Sequence, residues 1–245
     1  MTHVFSEKVY EGKAKVIHSI EGKTNLVGMK FKDHLTAFNG EKFLELAGKG
    51  KLNCAIATFI FEYLKENKVK THFIETISED EMVVDQVKVI PLEVVVRNRL
   101  AGSLAKKFSK EEGQALPMPL VEFFYKDDDL GDPFVSDDQI VALELTEEPE
   151  LLPMLKTKAL QVNALLIPLF DRAGISLVDF KLEFGKDRDG ELVLADEITP
   201  DSCRLWDKAT GEKMDKDRFR RDLGSVLEKY QEVLNRLKQA KEKDS

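Results

Sequence analysis

The stretch LVDFKLEFGKDRDGELVLADEITPDSCRLWD, Leu177 to Asp207, decides how the rest of the chain is read. Its first arm alternates strictly: Val178, Phe180, Leu182 and Phe184 share one face, and Asp179, Lys181 and Glu183 share the other. The Asp-Gly of KDRDG supplies a hairpin turn. The second arm, Leu192 to Ala195, is apolar until it meets Asp196-Glu197. A strand at a solvated edge accounts for the alternation. It accounts less well for an acidic pair closing an apolar strand, followed by the polar, irregular ITPDSCRLWD. Carboxylates converging in a half-buried place need a cation, so a metal, a lysine or both are expected there.

Upstream, residues 8–32 read as strand, turn, strand, and DHLTAFNGEK as a loop. A helix is expected over 51–66, with strands over 71–77, 82–89 and 92–96 and a short helix over 99–108. Residues 114–138 read as loop-rich around a VEFFY strand, and residues 150–172 as a long helix closed by Gly174. A C-terminal helix is expected over 216–241. This order is α+β rather than a βαβ alternation. Two lobes with a cleft between them follow, 1–90 as a β-rich nucleotide-binding lobe and 91–245 as an α+β substrate and nucleotide lobe.

The chain has 245 residues, 42% hydrophobic and 33% charged, which suits a globular protein with a sizeable core. A net charge of −8 argues against nucleic acid or an anionic membrane as partner, so any anionic ligand must be met by a local cluster of Lys and Arg. The polar N-terminus does not read as a signal peptide, and no apolar run is long enough to span a bilayer. Cys54 and Cys203 read as cytosolic free thiols, so a cytoplasmic location is expected. His3, His18, His34 and His72 are scattered and read as surface or packing residues.

Three segments carry candidate chemistry. In Glu11-Gly12-Lys13-Ala14-Lys15 the two lysines, two apart, share one face of a strand and suit a phosphate clamp, although lysine-rich surface hairpins are common. In Leu92 to Ser103, Glu93, Val95 and Arg97 share a face, and Gly102-Ser103 offers a hydroxyl and backbone amides to an anion. An exposed Glu93–Arg97 pair is the plainer reading. In Thr199 to Asp207, a proline-fixed loop presents Arg204 between carboxylates, beside Trp206 as a packing anchor. No Walker sequence and no GxGxxG is present.

The strings YEGKAK, VVVRNRLAGS, GDPF, VDFKLEFG, LADEITPDSCRLWD and MDKDRFR, in this order, closely resemble the SAICAR synthetase family, from about Tyr10 to about Tyr230. The resemblance implies a two-lobed α+β fold with a kinase-like or ATP-grasp-like nucleotide cleft. It implies an ATP-dependent ligase of purine biosynthesis that joins CAIR, a phosphoribosyl imidazole carboxylate, to L-aspartate. Its cofactors would be ATP and Mg²⁺, and relatives of this short form are often dimers or larger, so a homodimer is expected.

Carried over position by position, the resemblance puts Lys13, Ala14 and Lys15 over the ATP phosphates and Lys126 near the nucleotide. Glu183 and Asp196 would serve ATP and its Mg²⁺, and Asp179 and Lys181 the charge that develops in phosphoryl transfer. Arg97, Ser103 and Arg204 would hold the CAIR phosphate or carboxylate, with Glu93 and Asp132 on the imidazole side through a second Mg²⁺. Lys216 would be a further anion contact. Family members commonly have Ser-Ala-Phe-Asp where this chain has Thr36-Ala37-Phe38-Asn39, which keeps the hydroxyl and loses a charge. Cys203 reads as a spacer. Two rivals follow from the residues: a kinase-like phosphotransferase, since Asp179, Lys181 and Asp196 fall as a kinase's do, and a non-catalytic nucleotide-binding module.

Overall fold

The computed structural model describes residues 3–38 and 40–242. β1 (Phe5–Glu11), β2 (Lys15–Ile20) and β3 (Lys23–Phe31) form an antiparallel meander. Next come β4 (His34–Ala37), β5 (Lys42–Glu45), α1 (Lys49–Glu66), β6 (Phe73–Thr76) and β7 (Glu81–Asp85). The first sheet has the order β1-β2-β3-β7-β6. β4 and β5 pair as a separate hairpin where the sequence suggested a loop. Its driving force is local alternation: Leu35 and Ala37 turn inward to pack with Phe219 and Tyr230. Asn39, the position that departs from the family pattern, lies outside the described residues.

The second half comprises β8 (Lys88–Arg99), α2 (Gly102–Lys107), β9 (Ala115–Tyr125), β10 (Phe134–Val135), α3 (Asp137–Ala142), α4 (Leu152–Arg172), β11 (Ile175–Lys186), β12 (Leu192–Ala195), β13 (Cys203–Asp207), α5 (Asp217–Arg220) and α6 (Val226–Glu242). Its sheet runs β10-β9-β8-β11-β12, with β13 also on β11. Every strand pair within the sheets is antiparallel, which makes the fold α+β.

Further elements differ from the sequence reading, and residues 8–32 hold parts of three strands rather than two. β8 is one strand where a break was expected near residue 90. A register shift between Glu183 and Gly185 of β11 falls opposite Val89–Glu93 and accommodates Pro91. β9 extends the VEFFY strand back to Ala115, because Pro117 and Pro119 lie on a stretch paired only with β8. CRLWD is strand β13 rather than loop. The C-terminal helix is split, because Asp222, Gly224 and Ser225 all have left-handed backbone that no helix can carry through.

One apolar core runs from Met29 in the first sheet through α1, α4, β8 and β11 to Ala240 in α6. The sheets therefore share a core while parting near residue 87, and a cleft opens between them. Among the described residues, no helix is long and apolar enough to cross a membrane.

Candidate active site

β11 is the central strand that builds the cleft, which excludes the solvated-edge reading. Val178, Phe180, Leu182 and Phe184 are all buried. On the opposite face, antiparallel register sets Asp179 directly across from Arg97 of β8 and from Arg204 of β13. The same ladder sets Glu183 across from Glu93 and from Ala195. These cross-strand neighbours decide the electrostatics, since directly opposed side chains are the closest in a sheet.

Asp179 is 4% exposed and accepts from Arg97 Nη1 at 2.9 Å and from Arg204 Nη1 at 2.9 and 3.2 Å. Arg97 also donates to Glu122 at 2.5 Å, and Arg204 to Asp217 at 3.0 Å. Two guanidiniums that line the cavity are thereby fixed by carboxylates, an arrangement suited to a doubly charged anion. Gly102, at φ +56°, lies against Arg204: a Cβ there would stand 2.7 Å from the guanidinium carbon. Ser103, next along α2, lines the same cavity.

Two residues along the strand the charge reverses. Lys181 Nζ donates to Glu93 at 2.7 Å and to Glu183 at 2.6 Å, separating two carboxylates that would otherwise face each other. Lys126 donates to Glu183 at 2.9 Å. Burial alone would raise the Glu183 carboxyl, but Lys181, Lys126 and Lys15 outweigh it and hold it well below the ordinary carboxylate range. Burial likewise opposes the Lys181 charge, and Glu183 with Glu93 reverses that and keeps it cationic.

Lys15, from the start of β2, reaches across the cleft to Asp196 and Glu197 at the end of β12. Burial pulls the Lys15 ammonium below its ordinary value, Glu197 and Glu183 only partly opposing it. Asp196 itself has φ +64°, so apolar β12 ends in a turned backbone that brings its carboxylate to Lys15. His72 donates from Nε2 to the Asp196 carbonyl at 3.0 Å. Lys13 pairs with Asp128 at 2.7 Å and lies 3.8 Å from Asp132.

These groups line one cavity of about 790 Å³. It brings together every candidate named from the sequence: Lys13, Ala14, Lys15, Glu93, Arg97, Ser103, Lys126, Asp132, Asp179, Lys181, Glu183, Asp196, Arg204 and Lys216. Among the described residues, no group of three Asp, Glu, His or Cys is arranged to hold a metal by itself. Asp196 and Glu183 each already meet a lysine. Such a donor set fits a Mg²⁺ that enters with nucleotide phosphates and takes one or two carboxylates, rather than an ion caged by protein.

Sequence reasoning missed a buried cluster behind the cavity. Asp201 accepts from Lys49 at 2.5 Å, from Asn53 at 2.7 Å and from the Tyr230 hydroxyl at 2.7 Å. Burial would raise its carboxyl, yet Lys49 and Lys216 bring it down to about 2. The available signal was a polar pair at i and i+4, Lys49 and Asn53, interrupting the apolar stripe of α1. Asp217, Glu122 and Glu197, partners of Arg204, Arg97 and Lys15, were likewise not singled out for those roles.

Two β-sheets around a cleft, with a lysine-and-carboxylate end and a paired-arginine end, define a nucleotide-using enzyme that also binds a second anion. The chain belongs to the SAICAR synthetase family, whose model matches residues 8–237. It is 54% identical over 233 residues to the phosphoribosylaminoimidazole-succinocarboxamide synthase of Nautilia profundicola, covering 95% of this chain and 99% of that one. The crystal structure of the corresponding synthase from Ehrlichia chaffeensis superposes with a TM-score of 0.90 at 44% identity, covering 95% and 98%. A SAICAR synthetase in complex with ADP gives 0.87 at 44% identity, covering 93% and 96%.

Proposed function

We infer that this chain joins CAIR to L-aspartate, cleaving ATP to ADP and phosphate and activating the CAIR carboxylate as an acyl phosphate, a step of purine biosynthesis. The observation that carries the site assignment is the strand register. One ladder sets Asp179 between two arginines and, two residues on, Lys181 between two glutamates. The lysine end, Lys13, Lys15 and Lys126 with Glu183 and Asp196, is assigned to the ATP phosphates. The arginine end, Arg97, Ser103 and Arg204, is assigned to CAIR, with Glu93 and Asp132 toward its ring.

A carboxylate is inert toward an amine because its oxygen is a poor leaving group. Phosphorylating that oxygen makes it one. The task of the protein is positioning and charge neutralisation rather than covalent catalysis. Lys15 and Lys181 stand beside the carboxylate pair and offset charge on the transferring phosphoryl oxygens. Mg²⁺, when bound with the nucleotide near Asp196 and Glu183, adds Lewis-acid stabilisation of the same oxygens. Asp179, sealed between Arg97 and Arg204, acts as a positioning residue for the two guanidiniums rather than as a group that meets the phosphoryl oxygens, the role the resemblance suggested.

The test is ADP release by the purified protein with each substrate withheld in turn. The function requires SAICAR and ADP in equal amounts only when CAIR and aspartate are both present. Phosphate transfer without aspartate consumption would instead support a kinase-like phosphotransferase, and ATP binding without turnover a binding module. A cytoplasmic homodimer is the proposed setting, on the strength of the family resemblance; sedimentation at assay concentrations checks the assembly.

A further inference from the structure

Outside the two ends just assigned, the cavity is also lined by Thr36 and Phe38 before and after the end of β4, Asp201 and Ser202 before β13, and Lys216 and Arg220 around α5. Asp201 is held by Lys49, Asn53 and Tyr230, and Arg220 pairs with Asp217 at 2.7 Å. Among the described residues lining the cavity, Lys216 is the lysine or arginine whose side chain makes no ion pair and no hydrogen bond. Its backbone N–H, by contrast, is fixed to the Pro200 carbonyl at 3.0 Å, so the side chain starts from an anchored position.

We propose that Lys216, as the neutral amine, is the proton acceptor for L-aspartate, taking a proton from its α-ammonium group so that the nitrogen can attack. This rests on the function inferred above. One proton passes to Lys216 Nζ. The freed lone pair forms the C–N bond, the bond from the carboxyl carbon to the bridging oxygen breaks, and its electrons leave on phosphate. The second proton on nitrogen departs with the phosphate, and Lys216 returns its own proton to solvent before the next cycle.

The surroundings favour the uncharged lysine. Burial, together with Arg220 of α5, Lys49 of α1 and Lys181 of β11, outweighs the opposing pull of Asp201 and brings the ammonium down to about 8. Asp201 is itself screened by Lys49, Asn53 and the α6 residue Tyr230. The active form is the deprotonated one, so turnover with aspartate should climb with pH toward about 8 and level off above it.

The test compares wild type, Lys216→Arg and Lys216→Met with two nucleophiles, aspartate and hydroxylamine. Hydroxylamine is largely uncharged at neutral pH and needs no base to react with an acyl phosphate. Both variants should lose about 100- to 10,000-fold in kcat with aspartate, the span of a general base, while ATP-dependent hydroxamate formation from CAIR stays within a few-fold. The climb toward pH 8 should vanish from the residual activity. Near-normal aspartate turnover in Lys216→Arg would overturn the proposal, since arginine keeps the charge and cannot act as the base. Equal loss of both reactions in a Lys216→Arg protein of unchanged melting temperature would overturn it too. If wild type makes neither product, the inferred function itself fails, and the proposal with it.

Discussion

Gly102→Ala adds one methyl group to a residue with no functional side chain, yet it should strike the CAIR end of the cavity. Two effects act. Alanine at φ +56° carries about 1–2 kcal/mol of left-handed backbone strain. Its Cβ would also stand 2.7 Å from the Arg204 guanidinium carbon, where carbon atoms ordinarily rest about 3.5–4.0 Å apart. The guanidinium must retreat by about 1 Å. Its bonds to Asp179 at 2.9 Å and Asp217 at 3.0 Å cannot both survive such a move. Loss of one charge-assisted contact to CAIR corresponds to about 1.5–3 kcal/mol, or about a ten- to hundredfold rise in its KM. The KM for ATP should change less than about threefold, the ATP end lying at the other end of the ladder. Steady-state kinetics with CAIR and ATP varied in turn, beside a thermal melt, reads all three quantities. A lowered melting temperature with an unchanged KM for CAIR would refute the reasoning, because the strain would then be present without the displaced arginine.

Asp196→Asn should remove turnover while leaving the fold intact, since asparagine tolerates the same left-handed backbone; near-normal turnover at saturating Mg²⁺ would remove Asp196 from the phosphate end. Arg204→Lys should raise the KM for CAIR about ten- to hundredfold and that for ATP far less, because lysine keeps the charge without the two-pronged donor; equal effects on both would move Arg204 out of the CAIR site. Burial and the nearby Lys15 depress the His72 imidazole to about 3, so the folded protein keeps it neutral while the unfolded chain protonates below about 6.5. Stability should therefore fall as pH drops from 6.5, by up to about 1.4 kcal/mol per pH unit, and the difference between wild type and His72→Gln in urea melts at pH 7.5 and 5.0 isolates this contribution. A difference that does not change with pH would contradict a buried neutral His72.

The two faces of β11 were legible because alternation is a local property: Val178 to Phe184 announce their sides without knowledge of their neighbours. The partners were not. Asp179 meets Arg97 across 82 positions and Arg204 across 25, and no local pattern specifies such a register. Strand spacing and loop context marked Lys13, Lys15 and Arg204 as anion contacts, and family resemblance alone divided them, with Arg97, between ATP and CAIR. β13 was hidden because the Pro-Asp-Ser before it reads as loop, although Cys203, Leu205 and Trp206 are buried. The Asp201 cluster was hidden for a different reason. Lys49 sits at the start of a helix, where a cation is ordinarily solvated, and only tertiary packing makes it fully buried.

The central claim is that the CAIR carboxylate is phosphorylated before the amine attacks. It is tested by supplying CAIR labelled with ¹⁸O in that carboxylate, together with ATP, Mg²⁺ and aspartate, and measuring the isotope content of the released phosphate. Transfer through an acyl phosphate puts one labelled oxygen into phosphate for every SAICAR formed. Unlabelled phosphate at full turnover would mean that ATP is cleaved separately, and would contradict the account.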